Sequence, residues 1–118
     1  MTLRGDVVMK ALIDGSPPRN SAPSLDRLRA RREDVLAVCA DRGAWRVWVF
    51  GSVARGEQDD ESDLDLLVDF EPGRSLFDLA ALVGELEDLL GCPVNVVEHG
   101  TVRDDAFGRN VRRDMVPL

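Results

Sequence analysis

GSVARGEQDDESDLDLLVDF, residues 51–70, joins two apolar segments through a turn crowded with carboxylates. Residues 45–50, WRVWVF, are aromatic and β-branched and run straight into Gly51, which reads as a buried strand. Residues 64–70, LDLLVDF, read as the next strand. Gly51 lets the backbone approach a ligand closely, and Ser52 offers a hydroxyl and an amide at the start of a short helix through Val53 and Ala54. Both properties suit a phosphate. Arg55 follows within reach of the same anion and supplies a charged donor.

Side chains alternate along a strand, so Asp63 and Asp65 are expected on one face. Two adjacent carboxylates repel unless a cation lies between them. Ligands that are all oxygen favour Mg²⁺, which keeps several waters and shares its coordination sphere with substrate phosphates. The pattern therefore predicts a metal and a triphosphate bound together.

Outward from this centre, Ser24 caps a predicted first helix in which Leu25, Leu28, Val35, Leu36 and Cys39 recur at helical spacing, with Gly43 at its C′ position. Ser75 and Asp78 form a capping box before the stripe Leu79, Leu82, Val83, Leu86, Leu89 and Leu90, and Gly91 and Pro93 stop that helix. Residues 94–97 read as a third strand, and a last helix spans about 104–113 with Phe107 and Val111 on it. Residues 15–23, GSPPRNSAP, read as a linker. Residues 1–23 are thus expected to be an extension, with Val7, Val8, Leu12 and Ile13 on one side of a short helix, and residues 24–118 to be the domain proper.

The 118-residue length fits one domain, and 44% hydrophobic with 31% charged residues suits a globular chain with a core. The formal charge is −7, and residues 57–71 hold eight carboxylates with no Lys or Arg, which disfavours general nucleic-acid binding. The arginines near both ends are interleaved with acids and read as solvated helix faces. Cys39 and Cys92 lack metal-type spacing and read as reduced core residues. No apolar run reaches membrane-spanning length and no signal-peptide pattern occurs, so a cytoplasmic protein without a membrane partner is expected.

The quoted stretch resembles the G-S-x-A-R-G … S-D-x-D-L-L-V-x-F signature of the minimal nucleotidyltransferases, small members of the DNA polymerase β superfamily. The likeness continues through FEPGRSLFDLAALVGELEDLLGCPVNVV to the closing VPL and covers about residues 25–118. It implies an α/β (α+β) fold with a small mixed sheet flanked by helices. It also implies Mg²⁺-dependent transfer of a nucleotidyl group from a nucleoside triphosphate to a hydroxyl, with Asp63 and Asp65 as catalytic metal ligands and Gly51, Ser52 and Arg55 at the nucleotide. Many members pair with a HEPN-type toxin, and the resemblance implies an antitoxin that attaches AMP from ATP to a tyrosine of that partner. This chain has no Tyr, so such an acceptor lies on another molecule. The family usually places a third carboxylate on the strand after the long helix, where this chain has Asn95, an amide that offers a metal its oxygen but cannot serve as a base. A contact-only antitoxin is the alternative that Asn95 supports. Aminoglycoside-type acceptors and templated polymerisation are disfavoured, since no second domain is present to bind them.

The remaining polar candidates read differently. Glu98 is expected on the opposite strand face from Asn95, and Asp69 shares parity with Asp65 but stands roughly 13 Å away. His99 reads as a surface or loop residue, Trp45 and Trp48 cannot both face the core, and Arg74 is open to a phosphate, a helix cap or solvent.

Overall fold

A computed structural model describes residues 23–118, so the expected extension and most of the linker lie outside the described residues. Helix α1 (Leu25–Ala30) and helix α2 (Arg32–Asp41) precede strand β1 (Ala44–Phe50). Helix α3 (Gly51–Arg55) leads to β2 (Leu64–Phe70), α4 (Leu76–Leu90) and β3 (Val94–Glu98). A 3-10 turn (His99–Thr101), α5 (Ala106–Asp114) and a short β4 (Val116–Pro117) complete the chain. The sheet order is β3-β2-β1-β4, with β2 and β3 parallel and the other pairs antiparallel. This is the mixed sheet flanked by helices that the sequence predicts.

β2 sits at the centre because its run Leu64, Leu66, Leu67 and Val68 is apolar on both faces. On one face Leu64, Leu66 and Val68 join Val47, Val49 and Val94 under Leu28, Val35 and Cys39 of the first two helices and Leu82 and Leu86 of α4. On the other, Leu67 packs with Phe50 and Val111 of α5, bordered by Trp48, Val97, Val102 and Met115. Burial pushes the Cys39 thiol up to about 12, as expected of an inert core cysteine, while Cys92 is half-buried.

The cap signals hold. Ser24 accepts from the Arg27 N–H, the Ser75–Asp78 capping box forms, and Gly91 ends α4 in the left-handed region at φ 72°. The single first helix does not hold: Arg31, at φ −110° and ψ 20°, ends α1 and opens α2, and its Nε donates to Asp34 Oδ2 at 3.2 Å. No Gly or Pro marks that break, so periodicity carried straight through it. β4 was also unforeseen; Leu118 N donates to Val47 O at 3.1 Å, and Arg32 Nε donates to Leu118 O at 2.7 Å, so the C-terminal residues are tied to both β1 and α2.

The Trp45–Trp48 conflict resolves through a register shift between Ala44 and Arg46, which leaves Trp45 out of the pairing with β2 and 63% exposed. Arg46 lies over both indoles and pairs with Asp69, and Asp69 also meets His99 Nδ1 at 3.1 Å. Asp69 is thus held by Arg46 and His99 at the far end of β2 from Asp65.

Leu66 is fully buried and Leu76 is 79% exposed, although both are apolar and sit on regular elements. Leu66→Ala is expected to cost about 2–5 kcal/mol and Leu76→Ala no more than about 0.5 kcal/mol. Urea unfolding, with unchanged slopes, checks both values.

Candidate active site

β1 runs antiparallel to β2, so the end of β1 and the start of β2 meet at one corner of the sheet, where Phe50 pairs with Asp65. β3 runs parallel to β2 and brings Asn95 opposite Asp65. All three residues project from the face that carries Leu67 and Val111, because the register repeats every second residue. Asp63 precedes the strand. The turn before it is closed by Asp59, whose Oδ1 accepts from Glu61 N at 2.9 Å and from Ser62 Oγ at 3.1 Å. Leu64 N then donates to Pro93 O at 2.9 Å, which anchors the entry to β2 beside β3.

Asp63 and Asp65 converge. Asn95 Nδ2 donates to Asp63 Oδ2 at 3.2 Å and to Asp65 Oδ1 at 3.0 Å, bridging the two carboxylates. An amide oxygen facing two carboxylates would be repelled, so the acceptor chemistry fixes the orientation of the Asn95 amide. Burial pushes the Asp65 carboxyl above the usual carboxylate range; the Asn95 bond opposes this, the Asp63 charge adds to it, and the Arg55 charge subtracts. Among the described residues, neither Asp63 nor Asp65 has a salt bridge.

Gly51 turns the chain at φ 75°, a backbone conformation that L side chains rarely adopt. A Cβ there would collide with Asp65 Oδ2, so the Gly51-Ser52 turn closes directly over the carboxylate. Gly51, Ser52, Asp65 and Asn95 thus meet at one corner. Arg55 Nε donates to Glu57 at 2.9 Å and its Nη1 to Asp114 at 2.5 Å. The Asp114 carboxyl is lowered from its ordinary value by Arg113 first and also by Arg55, against the opposing effect of burial. The bond from Arg55 to Asp114 ties α3 to α5.

The family model described as nucleotidyltransferase domain matches residues 32–116 of this chain. The chain belongs to that family. A solved structure described as a "putative minimal nucleotidyltransferase" is 52% identical, with a TM-score of 0.71, and the match covers 81% of this chain and 97% of that one. Protein adenylyltransferase MntA of Thermococcus cleftensis is 39% identical over 74 residues, 63% of this chain and 74% of its own length. A crystal structure of a toxin–antitoxin with AMP-PNP shares the fold at a TM-score of 0.61 and 18% identity, covering 72% of this chain and 69% of that one.

Within this nucleotidyltransferase fold, Glu98 and Arg74 lie away from the Asp63–Asp65 corner. Glu98 borders the groove beside Phe70 and Leu79, on the opposite side of the sheet from Asn95. Arg74 pairs with Glu71 and Asp78 and packs over Gly43. Sequence reasoning missed Phe50, Val97 and Phe107, which with Asp65 and Asn95 line an open groove of 530 Å³. The parity shared by Phe50 and Asp65 was the available signal for the first of them. Asp114 as the partner of Arg55 had none, since 59 residues separate the two.

The donor set fits a hard divalent cation: two carboxylates and one amide, all able to offer oxygen. Among the described residues no group of three His, Cys, Asp or Glu forms, so the two carboxylates and substrate oxygens would carry the load. Because the folded state raises the proton affinity of Asp65, stability falls as pH rises from the ordinary carboxylate range through the raised folded value, and ionised Asp65 is a net cost at neutral pH. Asp65→Asn is therefore expected to melt above the parent at pH 7 without metal, and the gap should close in acid, where Asp65 is protonated in both states. Scanning calorimetry decides it: an equal or lower melting temperature at pH 7 contradicts the desolvation account.

Proposed function

We propose that this nucleotidyltransferase transfers AMP from ATP, with Mg²⁺, to a hydroxyl on a partner protein, and that the partner is a HEPN-type toxin modified on a tyrosine. The observation that carries the reading is the convergence of Asp63 and Asp65 beneath the Gly51-Ser52 turn, a carboxylate pair without a salt bridge among the described residues and with an anion-suited turn beside it. Support for protein as the acceptor comes from the adenylyltransferase relative, and support for a toxin partner from the toxin–antitoxin structure that shares the fold. The absence of Tyr from this chain agrees with an acceptor in trans. No helix among the described residues is long and apolar enough to cross a membrane, which agrees with a cytoplasmic setting.

Asp63 and Asp65 would hold the metal, which supplies neutralisation of charge on the phosphate oxygens in the transition state. Gly51 brings its backbone against the anion because no Cβ intervenes, and Ser52 offers its hydroxyl and amide. Arg55 adds a charged contact to the same anion and, through Asp114, fixes α3 against α5. Asn95 carries no titratable group and cannot take the proton of the attacking hydroxyl, so that proton leaves to a carboxylate or to water.

The contact-only antitoxin has one observation in its favour: the Asn95 amide occupies an oxygen of each carboxylate, which suits a resting site that never binds metal. The two readings separate on co-expression with a HEPN-type toxin encoded beside this chain, recognisable by an R-x₄-H motif, reading growth and toxin mass. In the enzyme reading the toxin gains the mass of AMP, Asp63→Ala abolishes both that gain and rescue, and Asn95→Asp increases transfer. Rescue by Asp63→Ala without added AMP would establish neutralisation by contact alone.

A further inference from the structure

Four large apolar side chains are conspicuously exposed among the described residues: Trp45, Leu76, Phe77 and Phe107. Trp45 lies at the start of β1, which pairs with the end of β2, and Leu76 borders a groove with Phe70 and Glu71, also at the end of β2. These positions are at the opposite end of the sheet from Asp63 and Asp65. Phe107 is at the carboxylate end. It is 51% exposed, while Gly108 and Val111 of the same helix are buried. Its ring stands perpendicular to Phe50, at 82° and 6.1 Å between centroids, and Phe50 is the cross-strand neighbour of Asp65.

The groove that Phe107 borders is apolar apart from Asp65 and Asn95. A single exposed aromatic needs no explanation. Here, however, an exposed ring, a buried ring and an apolar wall line one groove with Asp65 and with Asn95, whose amide also holds Asp63. A ligand that matches this gradient has a flat apolar portion joined to an anionic portion that meets a cation, and a nucleoside triphosphate has that form. We infer that Phe107 is the platform on which the nucleobase of the donor nucleotide stacks, with Phe50 bracing the ring from behind. The inference rests on the nucleotide-transfer reading above and adds to it the residue that holds the base. Phe107 is a positioning residue in this account: it contributes to affinity for the base and takes no part in chemistry at phosphorus. The lining offers no basic side chain, so the phosphates are held at the carboxylate end through the cation and the Gly51-Ser52 turn.

Calorimetric titration of the full chain with ATP·Mg²⁺ and, separately, with tripolyphosphate·Mg²⁺ tests this. Phe107→Ala is expected to weaken ATP about tenfold, the scale of one base–aromatic stack, and to leave tripolyphosphate unchanged. Phe107→Trp should hold ATP as tightly as the parent, and Phe107→Leu, which keeps an apolar contact with Phe50 but lacks a ring, should behave like Phe107→Ala. Circular dichroism melting of each variant controls for folding. Equal affinity for ATP in parent and Phe107→Ala overturns the inference while leaving the nucleotide-transfer reading intact, and so does an equal loss for both ligands. Failure of the parent to bind ATP overturns both.

Discussion

Everything at this site depends on the burial of β2. Leu66, Leu67 and Val68 are sealed on both faces, so a slip of one residue in either direction carries a carboxylate, Asp65 or Asp69, into a fully buried position. That constraint fixes which face Asp65 occupies. It also fixes Phe50 and Asn95, because their register is set against the same strand from either side. The functional corner is where double burial ends. Leu64 is already core, while Asp63 one residue earlier is exposed, and the carboxylates sit at the first position where water, a cation and a substrate can reach the strand.

The acidic stretch from 57 to 71 looks in sequence like one block of negative charge, but folding divides it. Glu57 faces Arg55, Asp59 closes its own turn, Asp69 is held by Arg46 and His99, and Glu71 pairs with Arg74. Exposed pairs of this kind contribute little to stability. Their effect here is to leave Asp63 and Asp65 as neighbouring carboxylates with an amide between them and no cationic side chain paired to either. Arg55, whose charge does reach Asp65, is drawn aside by Glu57 and Asp114.

The fold was legible where its causes are local. The capping box at Ser75, the αL stop at Gly91 and the apolar run of β2 each place an element within a residue or so, because each works through neighbours in the chain. The convergence of Asp63 and Asp65 was legible only in part, since alternation along β2 places Asp65 while Asp63 precedes the strand and meets it through the shared Asn95 amide. What could not be read depends on contacts distant in sequence or on shape without a composition signal. The break at Arg31 carries no Gly or Pro, β4 exists only because β1 offers it an edge, and Arg55 finds Asp114 through the packing of α3 on α5. Phe107 reads as one more apolar residue on a terminal helix until the fold sets it beside Phe50.

Asn95 is where the demands of folding and of function pull apart. With the cation absent, an amide between two carboxylates gives each an acceptor bond and keeps the corner from carrying a third negative charge. A carboxylate at that position would add repulsion to a pair in which Asp65 already pays for its burial. With a cation present the balance reverses, because a third carboxylate then adds attraction where the amide offers a neutral oxygen. Only if Asn95 were itself to offer Oδ1 would Nδ2 have to turn away and release both hydrogen bonds; the remaining oxygens of Asp63 and Asp65 lie outside them. The amide therefore steadies the carboxylate pair of the metal-free corner, and it does so without disturbing the register, since Asn95 keeps its backbone place opposite Asp65.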